Sequence, residues 1–180
     1  KLTVLGALVS VQCLMLTSIV YWSLQMGEYG YSFWGLSAVA IGTGWVGLAM
    51  GLMVSSIFSS SEAAVGTLPL LLIPQIAFGG LIVKVKDMSE LATVVAHGMI
   101  TRYAFELSIK TGTDLSKPAH KGVMETKEHI KRFLWELGFR TSDADDMGLS
   151  IFMLGSILFG FFFIFMAVAT IFTARSREGN

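Results

Sequence analysis

Few side chains in this sequence could do chemistry, and most of them share one segment. Asp143, Asp145 and Asp146 place three carboxylates within four positions. Such a cluster can hold a divalent cation or can face the positive end of the apolar helix that follows. No further ligand cluster or loop glycine pattern accompanies it, which favours the dipole. His97, His120 and His129 have neither zinc spacing nor a cysteine partner, so they are expected to be solvated or interfacial. Arg102 and Glu106 stand four apart and can pair along a helix, though in the less favourable charge order. Gln75, next to Pro74, is the most polar side chain of an otherwise apolar stretch. The patterns G-x-x-x-x-G-K-S/T, H-E-x-x-H and G-x-S-x-G are all missing. No catalytic residue, metal site or cofactor site is therefore expected in this chain.

The elements that must position these residues are four apolar runs: 2–24, 32–58, 63–83 and 148–174. Each is long enough to cross a hydrocarbon core, which needs about 20 helical residues. None contains Asp, Glu, Lys, Arg or His, whereas residues 84–147 hold 10 of the 13 Lys+Arg and 10 of the 13 Asp+Glu. With 53% hydrophobic residues and a mean hydropathy of +0.67, the chain is too apolar for an ordinary soluble domain. The reading is an all-α integral membrane protein with four transmembrane helices and one large polar loop. Zero net charge and a mixed-sign loop give no case for nucleic-acid binding. Cys13 is the only cysteine and falls inside the first run, where it packs as a small apolar side chain. The first run starts at residue 2 without an initiator Met, is too long for a signal peptide, and suggests a piece of a longer polypeptide. Lys1, Arg175 and Arg177 favour cytoplasmic termini, while Lys84, Lys86 and Arg140 argue the other way, so charge leaves orientation undecided.

The spans differ in texture. The first carries Ser10, Gln12, Thr17 and Ser18, an unusual polar content for a helix facing only lipid. The second has Gly35, Gly42, Gly44, Gly47 and Gly51, of which Gly47 and Gly51 form a small-xxx-small pair that predicts close helix packing. The third contains Pro69 and Pro74, so it should kink or break, with Gln75 at mid-depth. Two readings of Gln75 stand: a polar residue on a substrate path, or a packing residue bonded to a neighbouring helix. Without ionisable residues in the spans, a proton-coupled carrier is disfavoured.

The polar loop reads as structured. Asp87–Ser89 can cap a short helix that runs through Val95 and ends at Gly98. A second short helix is expected over 99–110, a turn over 111–118, and an amphipathic helix over 124–137 with Ile130, Phe133, Leu134 and Leu137 on one stripe.

Several motifs in this order carry a family resemblance. They are Gly51-Leu52-Met53-Val54-Ser55-Ser56-Ile57-Phe58, Ser61-Glu62-Ala63-Ala64, Leu68-Pro69-Leu70-Leu71-Leu72-Ile73-Pro74-Gln75, Phe78-Gly79-Gly80-Leu81-Ile82-Val83 and Arg102-Tyr103-Ala104-Phe105-Glu106. Together they resemble the membrane domain of ABC exporters of the type-2 permease class, including the ABCG branch. The stretch Leu68–Gln75, with its two prolines, is especially similar to bacterial members that fuse the permease to a nucleotide-binding domain and sometimes to a forkhead-associated domain. The resemblance implies the last four spans of a six-helix half-transporter, forming a single permease domain over 1–180 with a re-entrant segment inside the external loop 84–147. It implies cytoplasmic placement of 59–62 and of the C-terminus. It implies substrate-path positions at Gln75, Ile76 and Phe78, an extracellular gate at Leu81 and Ile82, and an Arg102–Glu106 brace of the re-entrant segment. ATP and Mg would sit on a fused or separate nucleotide-binding domain, and a second permease half would complete a homodimer. Two departures stand out: the loop has no Cys and Asn180 is the only Asn, so external disulfides and N-glycosylation cannot occur there, and the amphipathic helix over 124–137 is not part of the family pattern. Both point to a bacterial protein with its own external elaboration, placed in the inner membrane.

The functional expectation is the membrane-spanning part of an ATP-driven exporter, moving an apolar or amphipathic substrate by alternating access. The rival is a non-transporting membrane scaffold whose external helix 124–137 binds a partner protein.

Overall fold

The computed structural model describes residues 2–28, 31–58, 60–79, 89–112, 132, 135–137 and 147–178. Among them all regular structure is helical: α1 (Leu2–Ser23), α2 (Phe33–Ile57), α3 (Ser61–Ala77), α4 (Glu90–His97), α5 (Ile100–Gly112) and α6 (Met147–Glu178). Three helices are long and apolar enough to cross a membrane: α1, α2 and the 151–175 stretch of α6. The third expected span appears as α3, with 17 residues. Its rise of about 25 Å falls short of a hydrocarbon core about 30 Å thick. Residues 80–83, its expected outer end, lie outside the described set, as do the expected helix over most of 124–137 and the carboxylates at 143, 145 and 146.

Local chemistry sets the helix ends. Ser32 caps α2 by accepting from the Gly35 amide, and Ser60 caps α3 by accepting from Ala63, with Glu62 in its first turn. Ser89 and Gly98 bracket α4, as its sequence predicts. At the end of α1 the Met26 amide reaches back to the Tyr21 carbonyl, which places Gln25 in the left-handed region at φ 50°. The Tyr21 hydroxyl then donates to the Tyr31 carbonyl at 3.0 Å and closes the α1–α2 connection. Burial in this connection raises the Tyr31 phenol above its ordinary range.

α3 continues as one helix through both Pro69 and Pro74 and does not break at either. Each proline removes a single backbone rung, the neighbouring rungs persist (Phe78 N–H to Pro74 O, 2.9 Å), and Pro69 is exposed, where its ring has room.

The core is not where hydropathy alone would put it. Val39, Val46 and Met50 of α2, Ile100 and Leu107 of α5, and Leu154 and Leu158 of α6 form one buried cluster. α2 packs most extensively on α6 and next on α1, and α5 lies against both α2 and α6. α3, the proline-bearing apolar helix, has no buried residue, and α1 has only Gly6. Thus the short α5, from the charge-rich segment, supplies part of the core while two apolar helices sit at the periphery. Its spacing explains this: Ile100, Ala104 and Leu107 recur at helical intervals and make one buried stripe.

Close approach of α1 to α2 depends on small residues at Gly6 and Gly44. A Cβ on Gly6 would meet the Trp45 ring at 2.8 Å, and one on Gly44 would meet Val9 at 2.8 Å and the Cys13 sulfur at 2.9 Å. Among the described residues a Cβ on either glycine of the expected packing pair, Gly47 and Gly51, finds no neighbour within 4 Å. Of Gly42, Gly44, Gly47 and Gly51, Gly44 is the one turned toward α1, and a Cβ on any of the other three meets no described residue within 4 Å.

Candidate functional site

Gln75 forms the junction of three elements. Its Nε2 donates to the Met50 sulfur of α2 at 3.1 Å, and its Oε1 accepts from the Thr101 hydroxyl of α5 at 3.3 Å. The amide is therefore engaged at both ends, as the packing alternative for this residue requires. Thr101 begins α5 and Met50 lies past the midpoint of α2. The turn between α4 and α5 therefore comes level with the inner part of α2, and α5 then runs back along it to place Leu107 beside Val39 and Val46. Gly79 makes this junction possible: a Cβ there would lie 3.0 Å from the Gln75 carbonyl and 3.0 Å from Thr101 Cγ2.

The ion pair of α5 is not the expected one. Glu106 pairs with Lys110 at 2.7 Å, and both side chains are at least nine-tenths buried. Among the described residues the ion pair of Glu106 is therefore with Lys110 and not with Arg102. Both partners of Glu106 are four residues away, but Glu preceding Lys is the favoured order on a helix, and Lys110 shares the buried side. Arg102 instead lies beside the exposed His97, whose Nδ1 is 2.6 Å from the Thr93 carbonyl. The His97 carbonyl accepts from the Tyr103 hydroxyl at 2.9 Å, which ties the α4–α5 turn together.

Two recesses follow the α2–α6 seam. The first, about 680 Å³, is lined by Gly42 and Trp45 of α2, Leu107 of α5, and Gly155, Leu158 and Phe162 of α6, among other apolar residues. Trp45 and Phe162 lie 6.0 Å apart at 52°. The Trp45 Nε1 donates to Ser10 Oγ on α1 at 3.0 Å, so the recess receives no hydrogen-bonding group from it. The second, about 570 Å³, lies farther along both helices and includes Ser55, Ser56, Thr170 and Thr173. The Ser56, Thr170 and Thr173 hydroxyls each donate to a carbonyl of their own helix at 2.7–2.8 Å. Because both helices contribute residues in the same order to both recesses, α2 and α6 run parallel.

The sequence-predicted path residues line neither recess. Gln75 is turned into the bundle, Ile76 is 57% exposed, and Phe78 is half-buried. Leu81 and Ile82 lie outside the described residues. Among the described residues no group of three His, Cys, Asp or Glu comes together to hold a metal ion. Sequence reasoning missed the first recess, since its lining is an unpatterned part of two apolar runs. The one available signal is a glycine near an aromatic on each helix, Gly42 with Trp45 and Gly155 with Phe159.

A bundle with three long apolar helices, and an amphipathic helix packed against two of them, defines a helical membrane domain. Residues 1–111 match the ABC-2 type transporter family, and the chain belongs to that family, as part of the permease of an ABC transporter. The matched range takes in α1 to α4 and all but the last residue of α5, and includes every motif that carries the resemblance. No curated protein matches the chain.

Proposed function

We propose that this chain is the membrane-spanning part of an ATP-driven exporter that moves an apolar or amphipathic substrate by alternating access. The observation that carries the reading is the family match over α1–α5. ABC-2 permeases generally work with an ATPase partner and as dimers, so ATP and Mg belong on a nucleotide-binding domain, fused or separate, and a second permease half completes the path. The α4–α5 hairpin serves as the re-entrant segment, held at its start by Gln75. The exposed apolar side of α3, with Ile73 and Ile76, faces the second half, and Leu81 and Ile82 close the path on the far side. ATP binding draws the halves together and opens that closure outward. The C-terminus of α6 lies in the cytoplasm of a bacterial cell. With no ionisable side chain in α3 beyond its first turn, the path favours uncharged cargo surface.

The test is cysteine accessibility in the intact protein on a Cys13→Ala background. Ile76→Cys should react with small aqueous thiol reagents at a rate that changes with nucleotide, and Leu81→Ala with Ile82→Ala should uncouple ATP hydrolysis from efflux in vesicles. An Ile76→Cys that stays silent in every nucleotide state would sink the export reading.

A further inference from the structure

We propose that Trp22 and Trp34 sit at the boundary between phospholipid headgroups and hydrocarbon, and so fix the depth of the α1–α2 connection in one leaflet. The placement does not depend on transport and holds whatever the cargo is. Among the described residues these two side chains are the most exposed of the large hydrophobics, at 77% each. They lie at one level, because the Tyr21 and Phe33 rings stand 5.4 Å apart and the Phe33 and Trp34 rings 5.6 Å apart. Neither indole nitrogen bonds to a described residue, whereas that of Trp45 donates to Ser10.

An indole joins a large apolar ring to a single donor. In water the ring stays exposed, and in hydrocarbon the N–H has no acceptor, which is costly. The boundary supplies methylenes for the ring and ester or phosphate oxygens for the nitrogen. What lies on either side of the pair agrees with this. Beyond it the connection exposes Gln25 and Glu28. Below it the exposed Val4, Leu8, Val11, Met15 and Ile19 recur on the side of α1 that carries Trp22.

Length separates a bilayer from a protein partner. Lys1 stands 21 positions before Trp22, and Ser55, which opens a serine-rich stretch, stands 21 positions after Trp34. No Asp, Glu, Lys, Arg or His falls in either interval. At about 1.5 Å per residue both intervals rise about 31 Å, against a hydrocarbon core about 30 Å thick. α1 and α2 run in opposite directions, since Tyr21 meets Phe33 while Gly6 meets Trp45. Two antiparallel helices, each measured from its own tryptophan, therefore mark out the same slab. A bilayer requires that agreement, and a docked protein does not.

The experiment uses the intact protein in phosphatidylcholine vesicles brominated either high or low on the acyl chain. The emission lost on Trp22→Phe, and separately on Trp34→Phe, isolates each indole by difference, while phenylalanine keeps an apolar ring in place. Each indole should lose more emission to the bromine nearer the headgroup than to the deeper one, and little to aqueous iodide. A greater loss to the deep bromine would put the pair in the hydrocarbon. Loss to iodide alone would put it in water, and loss to none of the three would mean that protein covers it. Each of these results would overturn the proposal.

Discussion

α3 and α5 make an instructive pair. α3 is among the most apolar stretches of the chain, yet none of its residues is buried; Leu70 is 73% and Ile73 65% exposed. α5 carries Arg102, Glu106 and Lys110, yet Ile100 and Leu107 are 5% and 6% exposed and join the main cluster. In a membrane domain lipid tails are as apolar as leucine, so hydropathy marks which surface the bilayer accepts and not which surface the protein buries. Burial between helices goes to the element whose apolar residues form one stripe, and α5 has that pattern while α3 is apolar around its circumference.

The contrast can be broken most severely at the buried ion pair. Lys110→Met removes the ion-pair partner of the buried Glu106 carboxyl, and should destabilise the fold by about 3–5 kcal/mol. Thermal unfolding in detergent would measure this, and an unchanged midpoint would mean that the pair is solvated in the intact protein. Next comes a matched pair of truncations. Leu107→Ala should cost about 2–5 kcal/mol as a cavity opens in the core, whereas Leu70→Ala should stay within about 0.5 kcal/mol. Equal effects would erase the distinction between the two helices. Gly79→Val acts where α3 and α5 touch. Its side chain would press on the Gln75 carbonyl and Thr101, with an expected loss of about 1–3 kcal/mol and weakened coupling between the helices, readable as faster proteolysis at the α4–α5 turn. Smallest of all is Arg102→Ala, which should shift stability by no more than about 0.5 kcal/mol, because Arg102 is outside the buried pair.

Much of the helix layout can be read from residues alone. Runs 2–24 and 32–58 match α1 and α2 to within a residue at each end, because long apolar stretches and the Ser32 cap leave little choice. The short helices of the polar segment are equally legible from Ser89 and Gly98. What the sequence does not disclose is rotation about each helix axis. Glycine count in α2 suggests close packing but does not say that Gly44 faces α1 while Gly47 faces open space. Two partners at four-residue spacing are available to Glu106, and only the preference for Glu ahead of Lys distinguishes them. The recess around Trp45 and Phe162 depends on the register of α2 against α6, which is a tertiary property with no local signature.

The central claim, that α5 is a core element of the membrane domain and not a solvated part of an external loop, is tested most directly by amide hydrogen exchange on the intact protein in lipid. Peptides covering residues 100–110 should be protected for as long as those covering 39–50 of α2. Complete exchange of 100–110 within seconds, while α2 remains protected, would contradict the account.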